Sequence, residues 1–102
     1  MSGSIMIQEI VTLQVKPELN NSFLTDFREA QQFISSREGF LNLSLSRCVE
    51  DDCRYVMTVE WDRLENHTIG FRESEAYQDW KRLLHKYYEP FPEVLHFESI
   101  EL

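Results

Sequence analysis

Residues 40–61 read FLNLSLSRCVEDDCRYVMTVEW. Leu41, Leu43 and Leu45 alternate with Asn42, Ser44 and Ser46. After a short acidic interval, Tyr55, Met57, Val59 and Trp61 alternate with Val56, Thr58 and Glu60. A period of two marks a strand with one buried face. Two such runs joined by Val49-Glu50-Asp51-Asp52 predict an antiparallel hairpin, with strands over 40–48 and 54–61. Cys48 and Cys53 flank its tip, close enough to bridge but expected as reduced thiols, because the cytosol keeps thiols reduced.

Upstream of the hairpin, residues 5–15 alternate as well. Ile5, Ile7, Val11, Leu13 and Val15 fall on one face, and Met6, Gln8, Ile10, Thr12 and Gln14 on the other. Pro17 ends this strand, since it has no N–H to extend a ladder. From Leu19 to Arg37 the period changes. Phe23, Phe27, Ala30 and Ile34 recur at helical spacing, with Asn20 or Asn21 as a cap and Gly39 suited to the left-handed turn that follows. Downstream, Asp62 or Arg63 opens a second helical region that runs to about Tyr88, broken near Gly70–Ser74 and stopped by Pro90 and Pro92. Val94–Glu101 alternates as a last strand. The order β-α-β-β-α-β predicts an α+β, ferredoxin-like sandwich, a four-stranded antiparallel sheet with its helices on one face. One domain over residues 1–102 is expected, since the length leaves no room for a second.

Helices on one face leave the other bare. That face carries Met6, Ile10 and Ile100 among Ser, Thr and Gln, a half-apolar surface best buried against a second copy of itself. A homodimer is therefore expected.

Ten basic against eighteen acidic residues give a net charge of −8, which repels phosphate backbones, so nucleic acid is not an expected partner. No apolar run approaches the ~20 residues of a membrane span. Met1 to Met6 lacks the charged start and apolar block of a signal peptide, so the cytoplasm is the expected location. Seven Phe, four Tyr and two Trp supply rings for a core, a pocket or an interface.

The residues with chemistry cluster after the hairpin. On a helix, Leu64, His67, Thr68 and Phe71 form one stripe, so His67 points where apolar residues point. Such a histidine is either a hydrogen-bonded core residue or a pocket-wall imidazole that takes a proton near neutrality. Arg72 either closes a surface salt bridge or presents its fork to an anionic oxygen. Tyr77, Trp80, Leu84 and Tyr88 form a second stripe, with Tyr77 and Trp80 as core or as pocket walls. His85, on the flank, is expected at the surface or an interface, and His96 on the dimer side. No phosphate-binding loop, nucleophile elbow or helical histidine pair for a metal is present in the sequence.

Glu60-Trp61, Leu64-Glu65, His67-Thr68, Gly70-Phe71-Arg72, Ser74, Tyr77 and Trp80, then Leu83-Leu84-His85 and Pro90-Phe91-Pro92, together resemble a bacterial branch of the antibiotic-biosynthesis-monooxygenase family. Glu38-Gly39-Phe40 resembles that family's turn after the first helix, with Glu in place of Pro. The resemblance implies a ferredoxin-like protomer, a homodimer with joined sheets that forms a dimeric α/β barrel, and a pocket between sheet and helices in each subunit. It also implies oxidation of a small aromatic phenol or quinol by O₂ with no cofactor, the deprotonated substrate supplying the electrons. In that reading His67 is base or hydrogen-bond partner, Arg72 stabilises the anion, and Trp61, Phe71, Tyr77 and Trp80 are walls. Superfamily members that degrade haem use an Asn on the first strand with a Trp and a His further on. Ile10, Phe71 and Lys81 stand in those places, so haem degradation is not expected. The competing expectation is a non-catalytic dimeric module of the same fold that binds a small hydrophobic ligand or a protein partner.

Overall fold

The hairpin forms as its alternation requires. In the computed structural model, which describes residues 6–102, β2 (Phe40–Arg47) and β3 (Arg54–Trp61) pair antiparallel, with Leu43 opposite Val59 and Leu45 opposite Met57. A bulge at Leu41 shifts the parity at one end, so Phe40 rather than Leu41 stands opposite Trp61, and Leu41 is exposed. Gly39 takes φ +82°, a region that side chains disfavour, and a Cβ there would fall on the Asn66 side chain.

β1 (Ile7–Gln14) lies between β3 and β4 (Val94–Glu98), antiparallel to both, giving the strand order β2-β3-β1-β4. This is the expected ferredoxin-like sandwich. Ile5, expected at the start of β1, lies outside the described residues. β4 is shorter than the alternation to Glu101 suggested, because its ladder with β1 ends at Ile7 opposite Glu98. Ile100, expected on the bare face, lies beyond the strand and is largely exposed.

α1 (Asn20–Ser35) buries Phe23, Phe27, Ala30 and Ile34, the residues its spacing singled out. Its expected Asn cap does not form. Leu19 holds the cap position after a single 3-10 turn, and Asn20 turns to the hairpin instead. There Asn20 Oδ1 accepts from Tyr55 Oη at 2.8 Å and its Nδ2 donates to the Asp52 carbonyl at 3.2 Å. α2 (Glu75–Leu84) starts at Ser74, whose Oγ accepts from the Tyr77 amide at 3.2 Å, and it buries Trp80 and Leu84. The two helices pack on the odd-numbered side chains of β1 and β3, with Phe27 and Trp80 edge to face at 5.8 Å and Phe23 against Tyr55 at 4.9 Å. Each such ring contributes roughly 1.5–3 kcal/mol through burial. No helix among the described residues is long and apolar enough to cross a membrane.

The opposite face of the sheet carries Ile10, Val56, Leu95 and Phe97, the last three between 37% and 48% exposed.

Candidate functional site

β1 turns its odd residues toward the helices, and one member of that row is a carboxylic acid. Glu9 follows Ile7 and precedes Val11 and Leu13, and it is only 4% exposed. Among apolar neighbours of the same parity, it is the one residue of the row that the alternation alone gives no role. Its partner comes from the neighbouring strand. Ile7 faces Trp61 and Glu9 faces Val59, so the indole lies diagonally across from the carboxyl, and Trp61 Nε1 donates to Glu9 Oε1 at 3.0 Å.

His67 reaches the same place from the segment after β3. Asn66–Phe71 winds as a π-helical turn, closed by the Arg72 amide donating to the His67 carbonyl at 3.0 Å. Wide turns of this kind recur at functional sites. Asn66 anchors its start, Oδ1 accepting from the Arg63 amide at 2.9 Å while its side chain occupies the space that Gly39 leaves open. The wider winding modifies the expected helical stripe. His67 and Phe71 are buried, but Leu64 turns out to solvent. The His67 ring stacks on Trp61 at 5.6 Å with 22° between planes, and its Nε2 lies 3.5 Å from Glu9 Oε1. Its Nδ1 meets His96 Nε2 at 2.8 Å, one ring donating and the other accepting. His96 had been expected on the dimer side. The β1–β4 register places it directly opposite Glu9, on the helix-covered face, and residue parity on β4 decides the matter.

The electrostatics follow from burial. Burial drives the Glu9 carboxyl from an ordinary 4.5 up to about 7, against the opposing pulls of the Trp61 hydrogen bond and the Arg72 charge. Burial drives His67 from 6.5 down to about 3, with the charges of Arg72 and His96 adding to the effect. His96 is lowered too, by burial first and Arg72 second. Glu9 is ionised only where His67 is already neutral, so their close approach is not an ion pair. It is an acid and a neutral imidazole that share a buried site.

These groups open into a cavity of about 280 Å³ between sheet and helices. Glu9, Val11, Leu13 and Met57 form its floor, Phe71, Tyr77 and Trp80 its far wall, and Arg72, His85 and Phe91 part of its rim. His67, Arg72, Phe71, Tyr77 and Trp80, all singled out from the sequence, therefore meet at one cavity. Trp61 does not reach its surface. Fully buried, it stands one layer behind and holds Glu9 and His67 in place. His85, expected at the surface or an interface, is half-buried at the rim, edge to face with Phe91 at 4.9 Å. Ile10, read in the place of the haem degraders' Asn, points to the bare face, and the cavity-facing residue beside it is Glu9. The facing nitrogens of His67 and His96 are too close to admit a metal ion between them, which would need about 2.0–2.1 Å to each. The described residues also bring donor atoms of Asp51, Asp52 and Cys53 together at the hairpin tip, within 4.8 Å of one another.

The chain is thus a ferredoxin-like domain with an aromatic-walled cavity between sheet and helices and a buried acid in its floor. The comparisons speak to the family and the fold. The sequence profile of the antibiotic biosynthesis monooxygenase family matches residues 6–83, and the chain belongs to that family. It is 45% identical over 95 residues to the uncharacterized protein YczJ of Bacillus subtilis (strain 168), covering 93% of this chain and all of that one. A Bordetella bronchiseptica structure assigned to the same family superposes with a TM-score of 0.89 at 29% identity, over 95% of this chain and 99% of its own. SnoaB of Streptomyces nogalater, a cofactor-independent oxygenase, superposes with a TM-score of 0.84 at 15% identity, over 96% of each chain. At that identity the likeness speaks for the fold alone.

Proposed function

We propose that the protein is a cofactor-independent monooxygenase that oxidises a small aromatic phenol or quinol-type molecule with O₂. One observation carries the reading: Glu9, a carboxyl whose ionisation burial pushes up to about 7, forms part of the floor of a cavity lined mainly by aliphatic and aromatic side chains, with His67 and Arg72 beside it. A base matched to ambient pH in a water-poor pocket is what proton abstraction from an aromatic substrate requires.

In this reading Glu9 takes the proton, and of the two roles open to His67 the neutral ring fills that of hydrogen-bond partner. Arg72 faces the oxyanion that forms, and Phe71, Tyr77 and Trp80 hold the flat ring. Trp61 acts behind them by orienting Glu9. The electron-rich anion passes one electron to O₂, and the resulting radical pair joins to form a C–O bond. The abstracted proton returns to the peroxide. Cleavage of its O–O bond, with loss of the second hydrogen at that carbon, leaves a carbonyl and water. For an anthrone-type methylene the balance is R₂CH₂ + O₂ → R₂C=O + H₂O. The cavity lies just under the ~300–1,000 Å³ typical of drug-sized ligands, which favours a guest of few rings. The working unit is a homodimer joined through the bare sheet face, in the cytoplasm.

The test is O₂ uptake over a panel of naphthoquinols and anthrones after exhaustive chelation, with ¹⁸O₂ to follow the new carbonyl. Uptake with one labelled oxygen in the product supports the reading. Tight binding of panel members without uptake assigns the cavity to ligand carriage instead.

A further inference from the structure

We propose that Glu9 exchanges its proton with solvent through His67 and His96, two neutral imidazoles that act as a tautomeric relay from the cavity to the edge of the sheet. The proposal rests on the reading of Glu9 as the cavity's base. Near pH 7 part of Glu9 carries a proton before turnover begins. Once a guest covers the mouth of the cavity, that resting proton needs another route to solvent before the carboxylate can act as base.

The geometry supplies one. Glu9 Oε1 lies 3.5 Å from His67 Nε2, and His67 Nδ1 lies 2.8 Å from His96 Nε2. The first gap is longer than a hydrogen bond, as catalytic contacts often are before a guest binds. Burial falls along the series. Glu9 is 4% and His67 2% exposed, while His96 is only half-buried and sits on β4, an edge strand.

Burial also fixes how the proton moves. His67 is held far from the imidazolium form, so it cannot store a second proton. A neutral ring passes one by accepting at one nitrogen while releasing from the other. The Glu9 carboxylic acid gives its proton to His67 Nε2. His67 Nδ1–H goes to His96 Nε2, and His96 Nδ1–H goes to water. The products are a Glu9 carboxylate and two rings that each still carry one proton, and the reverse sequence recharges the acid. The other groups around this path are Arg72, whose charge acts on all three members, and Trp61 from β3; Tyr77, His85 and Tyr88 line the same cavity, and exposed Glu98 stands two residues beyond His96 on β4.

The experiment follows the ring nitrogens of ¹⁵N-labelled protein by long-range ¹H–¹⁵N correlation from about pH 5.5 to 8.5, alongside the Glu9 ¹³Cδ signal. The expected result is that His67 and His96 change the nitrogen that carries hydrogen in step with the Glu9 carboxyl, without a doubly protonated stage. In Glu9→Gln both tautomers stay fixed. A His67 that keeps one tautomer while Glu9 titrates, or that becomes imidazolium in this range, overturns the relay. With dithranol as the probe, His96→Phe should lower O₂ turnover about tenfold with KM unchanged and with a larger solvent deuterium effect, a modest share of a typical acid–base contribution. Unchanged turnover overturns the proposal. If wild type consumes no O₂ with any probe, the monooxygenase reading fails, and the tautomer measurement on wild type alone decides the relay.

Discussion

Trp61 donates its indole N–H to Glu9 Oε1 at 3.0 Å, and both residues are buried, so this one bond fixes where the acid points. It also favours the ionised carboxyl. Trp61→Phe keeps an aromatic ring and removes the donor. The Glu9 ionisation midpoint should move upward, and stability should fall by roughly 1–3 kcal/mol, the cost of a buried polar group left without its partner. Carboxyl ¹³C titration and urea denaturation check the two effects separately.

The two shifted groups pull stability in opposite directions with pH. Glu9 ionises near 7 in the folded protein against 4.5 ordinarily, so the fold holds its proton more tightly. That contribution is complete below 4.5 and is lost as pH rises through 7. His67 is lowered from 6.5 to about 3, so its contribution is present above 6.5 and is lost as pH falls toward 3. Between 4.5 and 6.5 the two offset each other. Glu9→Gln removes only the first. Its stability relative to wild type should therefore rise by about 3 kcal/mol between pH 4.5 and pH 8, measured by denaturation at each pH. A constant difference would show that Glu9 ionises near its ordinary value.

Arg72 is exposed, yet its charge reaches Glu9, His67 and His96. Arg72→Gln should change stability by no more than about 0.5 kcal/mol, as is usual for surface positions. It should also raise the Glu9 midpoint and weaken binding of phenolate-type ligands. Calorimetric titration with a naphtholate at two pH values checks this.

The bare sheet face presents Phe97 at 44% and Leu95 at 48% exposure on β4, beside Ile10 of β1. If two copies join there, Phe97→Glu buries a charge in the joint and should yield monomers at micromolar concentration by sedimentation velocity, with the protomer still folded.

Much of the fold was legible because periodicity dominates it. Strand alternation in 40–61 and the Phe23–Phe27–Ala30–Ile34 spacing survive in the structure, since each row buries against the next. Leu41 was misplaced because a bulge beside Gly39 shifts parity by one, a backbone event that the side-chain pattern does not record. At the site, His67, Phe71 and Trp80 were legible from helical spacing. Glu9 was not, because a lone acid in an apolar row reads as an interruption until its donor across the strand is known. The side of the sheet that His96 faces is not legible, because an alternating strand has two faces and only the register tells them apart. For Glu9 the sequence does carry one signal. Glu9 shares the parity of Ile7, Val11 and Leu13, so the pattern that buried those residues buried it too.

The most direct measurement is the pH dependence of O₂ consumption by wild type and Glu9→Gln with an anthrone substrate. The wild-type rate should rise with pH about a midpoint near 7, and Glu9→Gln should lose that limb and roughly 10²–10⁴-fold of the rate while remaining folded. A Glu9→Gln protein that oxidises the anthrone at the wild-type rate, with the same pH profile, would contradict the assignment of Glu9 as the base.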